Sequence, residues 1–241
     1  LVFGLLHAYL LWYGDILVLY AICGLVVYLL RKQPPGRLLL IGVLAIILPF
    51  ALNLFFGWSM QFWPPAQIEE MKADFWQPPS EKVSWELEVY RGGWLRQMDH
   101  RVPTAIEFQT FFTLIWGLWR AGGLMLVGMA LYKLGVFAAQ RSARFYLGMV
   151  AVGVFLGIPL IAYGVHRNFA AGWDIHYSFF LGSQFNYWGS LLVSGAWVGL
   201  VMLVCRAGVL GWLTRALAAV GQMAFTNYLL HTIICITLFY G

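Results

Sequence analysis

Two ionisable residues stand close together in an apolar stretch near the start of the chain, GLLHAYLLWYGDIL, which covers Gly4 to Leu17. They are His7 and Asp15. An imidazole beside a carboxylate forms a general-base pair, because the carboxylate fixes the ring tautomer and stabilises the imidazolium. In acyl transfer such a histidine deprotonates a hydroxyl or amine acceptor, or accepts the acyl group itself. We therefore predict His7 and Asp15 as catalytic residues.

Both residues also have a structural interpretation. Asp15 directly precedes the apolar run ILVL, and aspartate is a common N-cap at a helix start. His7 alternatively forms a structural hydrogen bond to a neighbouring helix. The sequence leaves these alternatives open.

Arg120 is the residue of the chain whose burial in a membrane would cost the most free energy. It lies about midway along the apolar run from Phe108 to Tyr132, roughly 18 Å from either end at 1.5 Å per residue. A charge at the centre of a bilayer costs about 3 kcal/mol on insertion scales. We predict that Arg120 binds an anionic substrate group, with a structural ion pair or carbonyl contact as the alternative.

Three further polar positions and one tryptophan complete the predicted substrate-binding set. Asn227 and His231 are four residues apart, so they share one face of the last helix. The alternative is hydrogen bonding to a neighbouring helix. Trp12 beside the turn and Arg101 in the long loop are the other members. We expect His7, Asp15 and His231 around the mouth of one polar cavity.

No metal site or cofactor is predicted. Helical HxxxH and HxxxD pairs are absent from the sequence, and these are the spacings typical of helical metal ligands. A Walker motif, a glycine-rich phosphate loop and a G-x-S-x-G elbow are absent as well.

The composition excludes a soluble globular domain. Of 241 residues, 61% are hydrophobic and 10% are charged, whereas soluble domains carry roughly 25% charged residues. Leu38 to Phe56 and Phe145 to Val165 contain no acidic residue and no lysine or arginine, and runs of about 18 apolar residues are typical of transmembrane helices. The fold class is therefore all-α, a polytopic transmembrane helical bundle.

About six full spans are predicted after part of a preceding helix at Leu1–Trp12. They are Ile16–Leu30, Leu38–Phe56, Phe108–Tyr132, Phe145–Tyr163, Trp188–Val204 and Leu217–Phe239. Three regions follow from these spans: residues 1–57 with two full spans, the loop 58–107, and residues 108–241 with four spans.

Charge orients this predicted bundle. The short loops at 31–37, 133–144 and 206–215 carry eight basic residues and no acidic one, whereas the loop 58–107 carries five basic and eight acidic residues, a net charge of −3. The positive-inside rule places the three short loops in the cytoplasm. The basic charge therefore follows from topology, and no nucleic-acid partner is predicted.

The loop 58–107 has five tryptophans and two Pro-Pro pairs. AQIEEMKADFW is predicted as a short amphipathic helix at the membrane interface. SEKVSWELEVYRGGWLRQMDHR is predicted to be helical with a break at Gly92-Gly93. The tryptophans form an interfacial belt or, alternatively, line a substrate groove.

Several stretches resemble one family of bacterial inner-membrane proteins. They are HAYLLWYGDILVLYAICGL (His7–Leu25), VYRGGWLRQMDHR (Val89–Arg101), GLMLVGMALYKLGVF (Gly123–Phe137) and GQMAFTNYLLHTII (Gly221–Ile234). Together they resemble the DUF418 family, the YeiB-like proteins. The family's opening D-x-x-R-G-x-A-x-x-G segment and its glycine-proline-x-glutamate-tryptophan tail are absent, so we expect a chain truncated at both ends. His231 stands where the family commonly has glutamine.

The resemblance implies a multi-pass protein of the bacterial inner membrane. It also implies a distant likeness to membrane acyltransferases, such as the heparan glucosaminide acetyltransferase group. An acyltransferase-like enzyme acting on an envelope or lipid substrate is one hypothesis. A transporter or flippase for a lipid-like or small organic solute is the second, and an accessory or structural membrane subunit is the third. The expected partners are membrane lipids, with other membrane subunits or a second copy of the chain as further alternatives.

Overall fold

The computed structural model describes residues 1–240, and every regular element in that range is a helix. The predicted all-α class is confirmed. The first six helices are α1 (Val2–Leu10), α2 (Leu17–Leu29), α3 (Pro35–Ser59), α4 (Pro65–Phe75), α5 (Ser80–Arg91) and α6 (Met98–Glu107). The last six are α7 (Leu118–Lys133), α8 (Ala143–Val152), α9 (Ile158–Ala170), α10 (Ser183–Ala207), α11 (Gly211–Gln222) and α12 (Ala224–Phe239).

Three π-helical segments lengthen these helices. Phe108–Gly117 joins α6 to α7, Gly153–Gly157 joins α8 to α9, and His176–Gly182 leads into α10. In a π-helix the backbone hydrogen bonds span five residues instead of four. The Thr113 hydroxyl has the same spacing, because it donates to the carbonyl of Phe108 over 2.8 Å.

Four helices are long and apolar enough to cross a membrane. They are Pro35–Phe62, Met98–Lys133, Ala143–Ala170 and His176–Ala207. A fifth crossing is present if α11 and α12, which are bent by 74° at their junction, form one span. The predicted number of about six spans is therefore not confirmed.

Two predicted spans differ from the observed helices. Over Ile16–Leu30 the structure has α2, whose 13 residues extend only about 20 Å at 1.5 Å per residue, short of a hydrocarbon core of about 30 Å. Over Leu217–Phe239 the helix is interrupted at Met223, where the backbone leaves helical geometry (φ −100°, ψ 18°).

The segment 58–107 contains short helices at the predicted places. Pro65–Phe75 is helical as α4, and α5 ends at Arg91, just before the predicted glycine break. Gly93 has φ = +83°, a left-handed conformation that glycine adopts without steric cost. The chain thereby turns before α6 begins at Met98.

The chain divides into two compact units. The first contains Leu1–Ile46, Pro78–Val127 and the chain from Trp212 onward. Within it, α3 and α7 approach closely at a pair of glycines, because a Cβ on Gly42 would lie 2.8 Å from the Gly123 carbonyl oxygen. The second unit contains Ile47–Gln77 and Gly128–Gly211.

Small residues bring α10 against the helix pair α8–α9 in the second unit. A Cβ built on Gly153 would lie 2.3 Å from the Cβ of Ala196, and one on Gly199 would lie 2.8 Å from the Tyr146 carbonyl oxygen. Gly153 and Gly157 form a GxxxG pair. Such pairs let membrane helices pack with their backbones in near contact.

We expect Gly153→Ala to destabilise the second unit by about 1–3 kcal/mol, the usual cost of overpacking a close contact. Gly148→Ala is the matched control, because it lies on the same helix and a Cβ there meets no atom within 4 Å. Thermal unfolding in detergent measures both variants. Equal unfolding midpoints for the two would contradict the close helix approach.

Candidate functional site

The site begins on the buried face of α1. Gly4, His7 and Ala8 are its buried residues, spaced three and four apart as one helical face requires. A Cβ on Gly4 would lie 2.7 Å from the backbone nitrogen of Val18. Glycine at this position therefore lets the start of α2 pack directly on α1, beside the imidazole.

Asp15 uses its two carboxylate oxygens for two tasks. Oδ2 accepts a hydrogen bond of 2.7 Å from the backbone N–H of Val18, which caps the start of α2. Oδ1 lies 2.9 Å from His7 Nδ1, and both side chains are 1% exposed. The capping and general-base interpretations of Asp15 are therefore compatible, since each uses a different oxygen.

Helix α12 supplies the other half of the site. His7 Nε2 lies 3.0 Å from the Thr232 hydroxyl. One turn earlier, the Tyr228 hydroxyl donates to Asp15 Oδ1 over 3.3 Å and accepts from the N–H of Ile16 at 3.3 Å. The Tyr228 ring also packs on the imidazole, with 4.9 Å between ring centres. Thr232, His7 and Asp15 thus form a continuous chain of hydroxyl, imidazole and carboxylate.

The geometry offers partners to the imidazole both with and without an added proton. When the neutral imidazole carries its proton on Nδ1, facing the carboxylate, the Nε2 lone pair accepts a hydrogen bond from the Thr232 hydroxyl. When Nε2 gains a proton, its N–H donates to the Thr232 oxygen. The hydroxyl proton then turns to the Tyr228 carbonyl oxygen, 3.2 Å away. Nε2 and the Thr232 hydroxyl therefore keep hydrogen-bond partners in both protonation states.

A second set of contacts holds the end of α1 in place. The carbonyl oxygen of Leu10 accepts from Arg101 Nη1 at 3.0 Å and from Trp94 Nε1 at 2.7 Å. Arg101 is 1% exposed, and its Nη2 also donates to the side chain of Gln97. A cation at a helix C-terminus is favourable because the last carbonyls carry the negative end of the helix dipole.

The segment before Arg101 is packed with aromatic rings. The Tyr90 hydroxyl lies 3.0 Å from His100 Nδ1, and the Tyr90 carbonyl accepts from Gln97 Nε2 at 3.0 Å. Burial raises the pKa of the Tyr90 phenol well above its ordinary value, so Tyr90 stays neutral. These contacts fix the segment that carries Gln97 and Arg101.

The remaining predicted site residues lie outside the hydroxyl–imidazole–carboxylate chain. Trp12 is 37% exposed, and its indole covers Gly14, where a Cβ would lie 2.7 Å from Trp12 Cζ2. Arg120 is half-buried, with its guanidinium 5.6 Å from the centre of the Trp116 ring. Asn227 donates from Nδ2 to the carbonyl of Val220 over 3.1 Å.

His231 is exposed, and the contact with His7 belongs to Thr232, the next residue. The predicted stripe of Asn227 and His231 lies beside a second stripe, Tyr228 and Thr232, which contacts Asp15 and His7 and was not predicted from the sequence. Both pairs have the same spacing of four, and one residue along a helix turns the side chain by about 100°. The sequence does contain one indication of this second stripe, because the hydroxyl-bearing residues Tyr228 and Thr232 are also four residues apart.

His7 is the group of this site that is suited to acid–base chemistry, since an imidazole both accepts and donates a proton. Among residues 1–240 no group of three His, Cys, Asp or Glu side chains is close enough to hold a metal ion. A buried imidazole flanked by a carboxylate and a hydroxyl is an arrangement suited to general-base catalysis.

Comparison with known proteins agrees with the sequence resemblance. The family model described as "Protein of unknown function (DUF418)" matches residues 131–241. This part of the chain is therefore similar to the DUF418 family. The chain is also 29% identical to the uncharacterized protein YeiB of Escherichia coli K12, over 98% of this chain and 60% of YeiB.

A second relative is the uncharacterized protein YxaH of Bacillus subtilis 168. The identity is 28% over 100% of this chain and 57% of YxaH. The chain therefore spans about three fifths of the length of these relatives. No solved structure matches it. The predicted resemblance to DUF418 and YeiB-like proteins is confirmed.

In this chain, Arg101→Ala should lower the free energy of unfolding by about 1.5–3 kcal/mol, the range for losing hydrogen bonds from a charged group. Arg96→Ala is the control, because Arg96 is 49% exposed and pairs with Glu88 at 3.5 Å. Exposed pairs contribute at most about 1 kcal/mol. Thermal unfolding in detergent, measured at low and at high salt, distinguishes the two variants. Equal losses of stability in Arg101→Ala and Arg96→Ala would refute the role of Arg101.

Asp15→Asn and Asp15→Ala should differ in stability. Asparagine retains an acceptor for the Val18 N–H and caps a helix nearly as well as aspartate. Alanine removes the cap and leaves the buried donors around it without an acceptor. The lost cap and one unsatisfied buried group together should lower the free energy of unfolding by about 2–4 kcal/mol. Unfolding midpoints in detergent test this order. A larger loss for Asp15→Asn than for Asp15→Ala would contradict the cap.

Proposed function

We propose that the chain is part of a membrane acyltransferase-like enzyme that acts on an envelope or lipid substrate, with His7 as its general base. The observation that supports this proposal is the buried imidazole, 3.0 Å from the Thr232 hydroxyl on one side and 2.9 Å from the Asp15 carboxylate on the other. Hydroxyl, imidazole and carboxylate in this order activate a nucleophilic oxygen in other acyl-transfer enzymes.

The proposed step is a transfer of an acyl group to a hydroxyl or amine. The acceptor takes the place of the Thr232 hydroxyl at His7 Nε2 and gives its proton to that nitrogen. Its oxygen or nitrogen then bonds to the acyl carbon as the bond from that carbon to the donor breaks. The imidazolium, stabilised by Asp15, returns the proton to the leaving group. Thr232 and Tyr228 hold the ring between these events.

The proposed setting is the bacterial inner membrane, which the chain crosses several times. The loops 31–37, 133–144 and 206–215 are placed in the cytoplasm, as their excess of basic residues favours. Six crossings follow if α2 and the bent pair α11–α12 each cross. The turn between α1 and α2, with Asp15, then lies toward the outer face.

The proposed substrate contacts come from residues outside the hydroxyl–imidazole–carboxylate chain. Trp12 and His231 are exposed and are proposed to contact the substrate directly. Arg120, half-buried beside Trp116, is proposed to bind an anionic group, and Asn227 to line the path. Arg101 is proposed to act through Leu10, by fixing the end of α1 next to the imidazole.

Transport of a lipid-like or small organic solute is the second candidate. Its support is the 74° bend between α11 and α12, because interrupted membrane helices form substrate sites in many transporters. An accessory role within a larger membrane assembly is the third. Neither alternative requires a proton acceptor at His7, and this difference separates them from the enzyme.

The test compares cells that lack the full-length protein with cells that produce the wild type or His7→Gln. Mass spectrometry of total lipids and envelope glycans detects added acyl groups by mass. We expect one acylated species in wild-type cells and a loss of at least about 100-fold in His7→Gln cells, the range for removing a general base. The same acylated species at equal levels in all three strains would refute the enzyme.

Two variants of Thr232 serve as matched controls. Thr232→Ser retains the hydroxyl and should keep most of the acylated product. Thr232→Val retains the shape but removes the partner of His7 Nε2, so it should reduce product formation. Thr237→Val on the same helix removes a hydroxyl that bonds to the carbonyl of Ile233 within α12 and should behave as wild type. Protein levels and unfolding midpoints verify that each variant is folded.

A further inference from the structure

An open groove lies on the surface of the second unit, between α8 and α10. Its volume is ≈ 480 Å³, within the range of about 300–1,000 Å³ typical of small-molecule sites. The residues that line it are Arg144, Phe145, Gly148, Met149, Val152, Leu191, Leu192 and Gly195. All of these residues except Arg144 are apolar or glycine, so the groove has an apolar lining and one charged side chain.

Two of the residues that line the groove are glycines. A Cβ on Gly148 would meet no atom within 4 Å, and one on Gly195 would approach only Met149 Cε, at 4.0 Å. Larger side chains at these two positions would occupy the groove. The free space above the helices therefore exists because both positions lack a side chain.

Positive charge is concentrated at the Arg144 end. Arg144 is exposed at the start of α8, where the helix dipole also favours an anion. Arg206, at the end of α10, donates to the carbonyls of Ala139 and Arg141 at 3.1 and 3.0 Å. These bonds bring a second guanidinium to the same end. No acidic residue occurs from residue 108 to residue 173 to oppose this charge.

The distribution of polarity matches one kind of occupant. From Arg144 to Val152 the groove follows eight residues of helix, about 12 Å, which suits an extended hydrocarbon chain. Arginine binds phosphate oxygens well because its planar fork of N–H groups matches their geometry. We propose that the groove binds an anionic phospholipid, with one acyl chain along α8 and α10 and the phosphate at Arg144. Basic pockets between membrane helices bind anionic headgroups in this way.

The test uses the detergent-purified chain, titrated with phosphatidylglycerol or with phosphatidylethanolamine and followed by native mass spectrometry. We expect phosphatidylglycerol to bind more tightly to the wild type. Arg144→Gln should weaken phosphatidylglycerol roughly fivefold, the effect of one basic residue near a phosphate. It should weaken phosphatidylethanolamine less, because the ammonium of that lipid already offsets its phosphate. Gly148→Leu should weaken both lipids, because its side chain fills the groove. Gly195→Leu repeats this test if Gly148→Leu fails to fold.

The controls are a charge and a glycine outside the groove. Arg215→Gln removes an exposed basic residue of α11, and Gly128→Leu adds a side chain where a Cβ meets no atom within 4 Å. Both should bind lipid as the wild type does. The proposal is overturned if Arg215→Gln weakens phosphatidylglycerol as much as Arg144→Gln, or if folded groove-filling variants retain wild-type lipid binding. It is also overturned if those variants change only the oligomeric state, since a second copy of the chain would then occupy the groove.

Discussion

The contacts of the Asp15 carboxylate hold three helices of the first unit together. This carboxylate is almost fully buried and contacts a backbone amide of α2, the imidazole on α1 and a phenol on α12. A buried carboxylate is tolerated only when opposite charge or hydrogen bonds replace its lost water. Each of the three helices supplies one such contact. Their relative placement is therefore fixed by the need to satisfy one anion.

The same requirement explains the supporting contacts at the end of α1. The final carbonyls of a helix have no partner within it, and in an apolar environment they must find one elsewhere. Leu10 finds two, the guanidinium of Arg101 and the indole of Trp94. The segment rich in tryptophan and tyrosine thus serves the polar site, because it delivers the donors that complete α1.

The sequence predicted the class of fold and most of the apolar helices, because long uncharged runs have few structural alternatives. It also singled out His7 and Asp15, which the structure brings into contact. It did not predict the short length of α2 or the bend at Met223, since average hydropathy does not record where a helix is interrupted. It also did not predict Thr232, because choosing between neighbouring residues requires the rotation of α12 about its axis. Only packing against α1 and α2 sets that rotation.

Both units pack helices through small residues, but the first unit adds a buried ionisable pair, and this addition bears on the role of His7. In the second unit, α8 and α10 meet through glycines and alanine, with no buried ion pair between them. Small residues alone are therefore sufficient for close helix contact in this chain. Buried ionisable groups give little stability over well-packed apolar residues and often cost some. The histidine and aspartate of the first unit fix the placement of three helices, but close helix packing does not in itself require ionisable groups. What they add is a ring that can gain or lose a proton while its neighbours keep their hydrogen bonds, and this property is useful for chemistry.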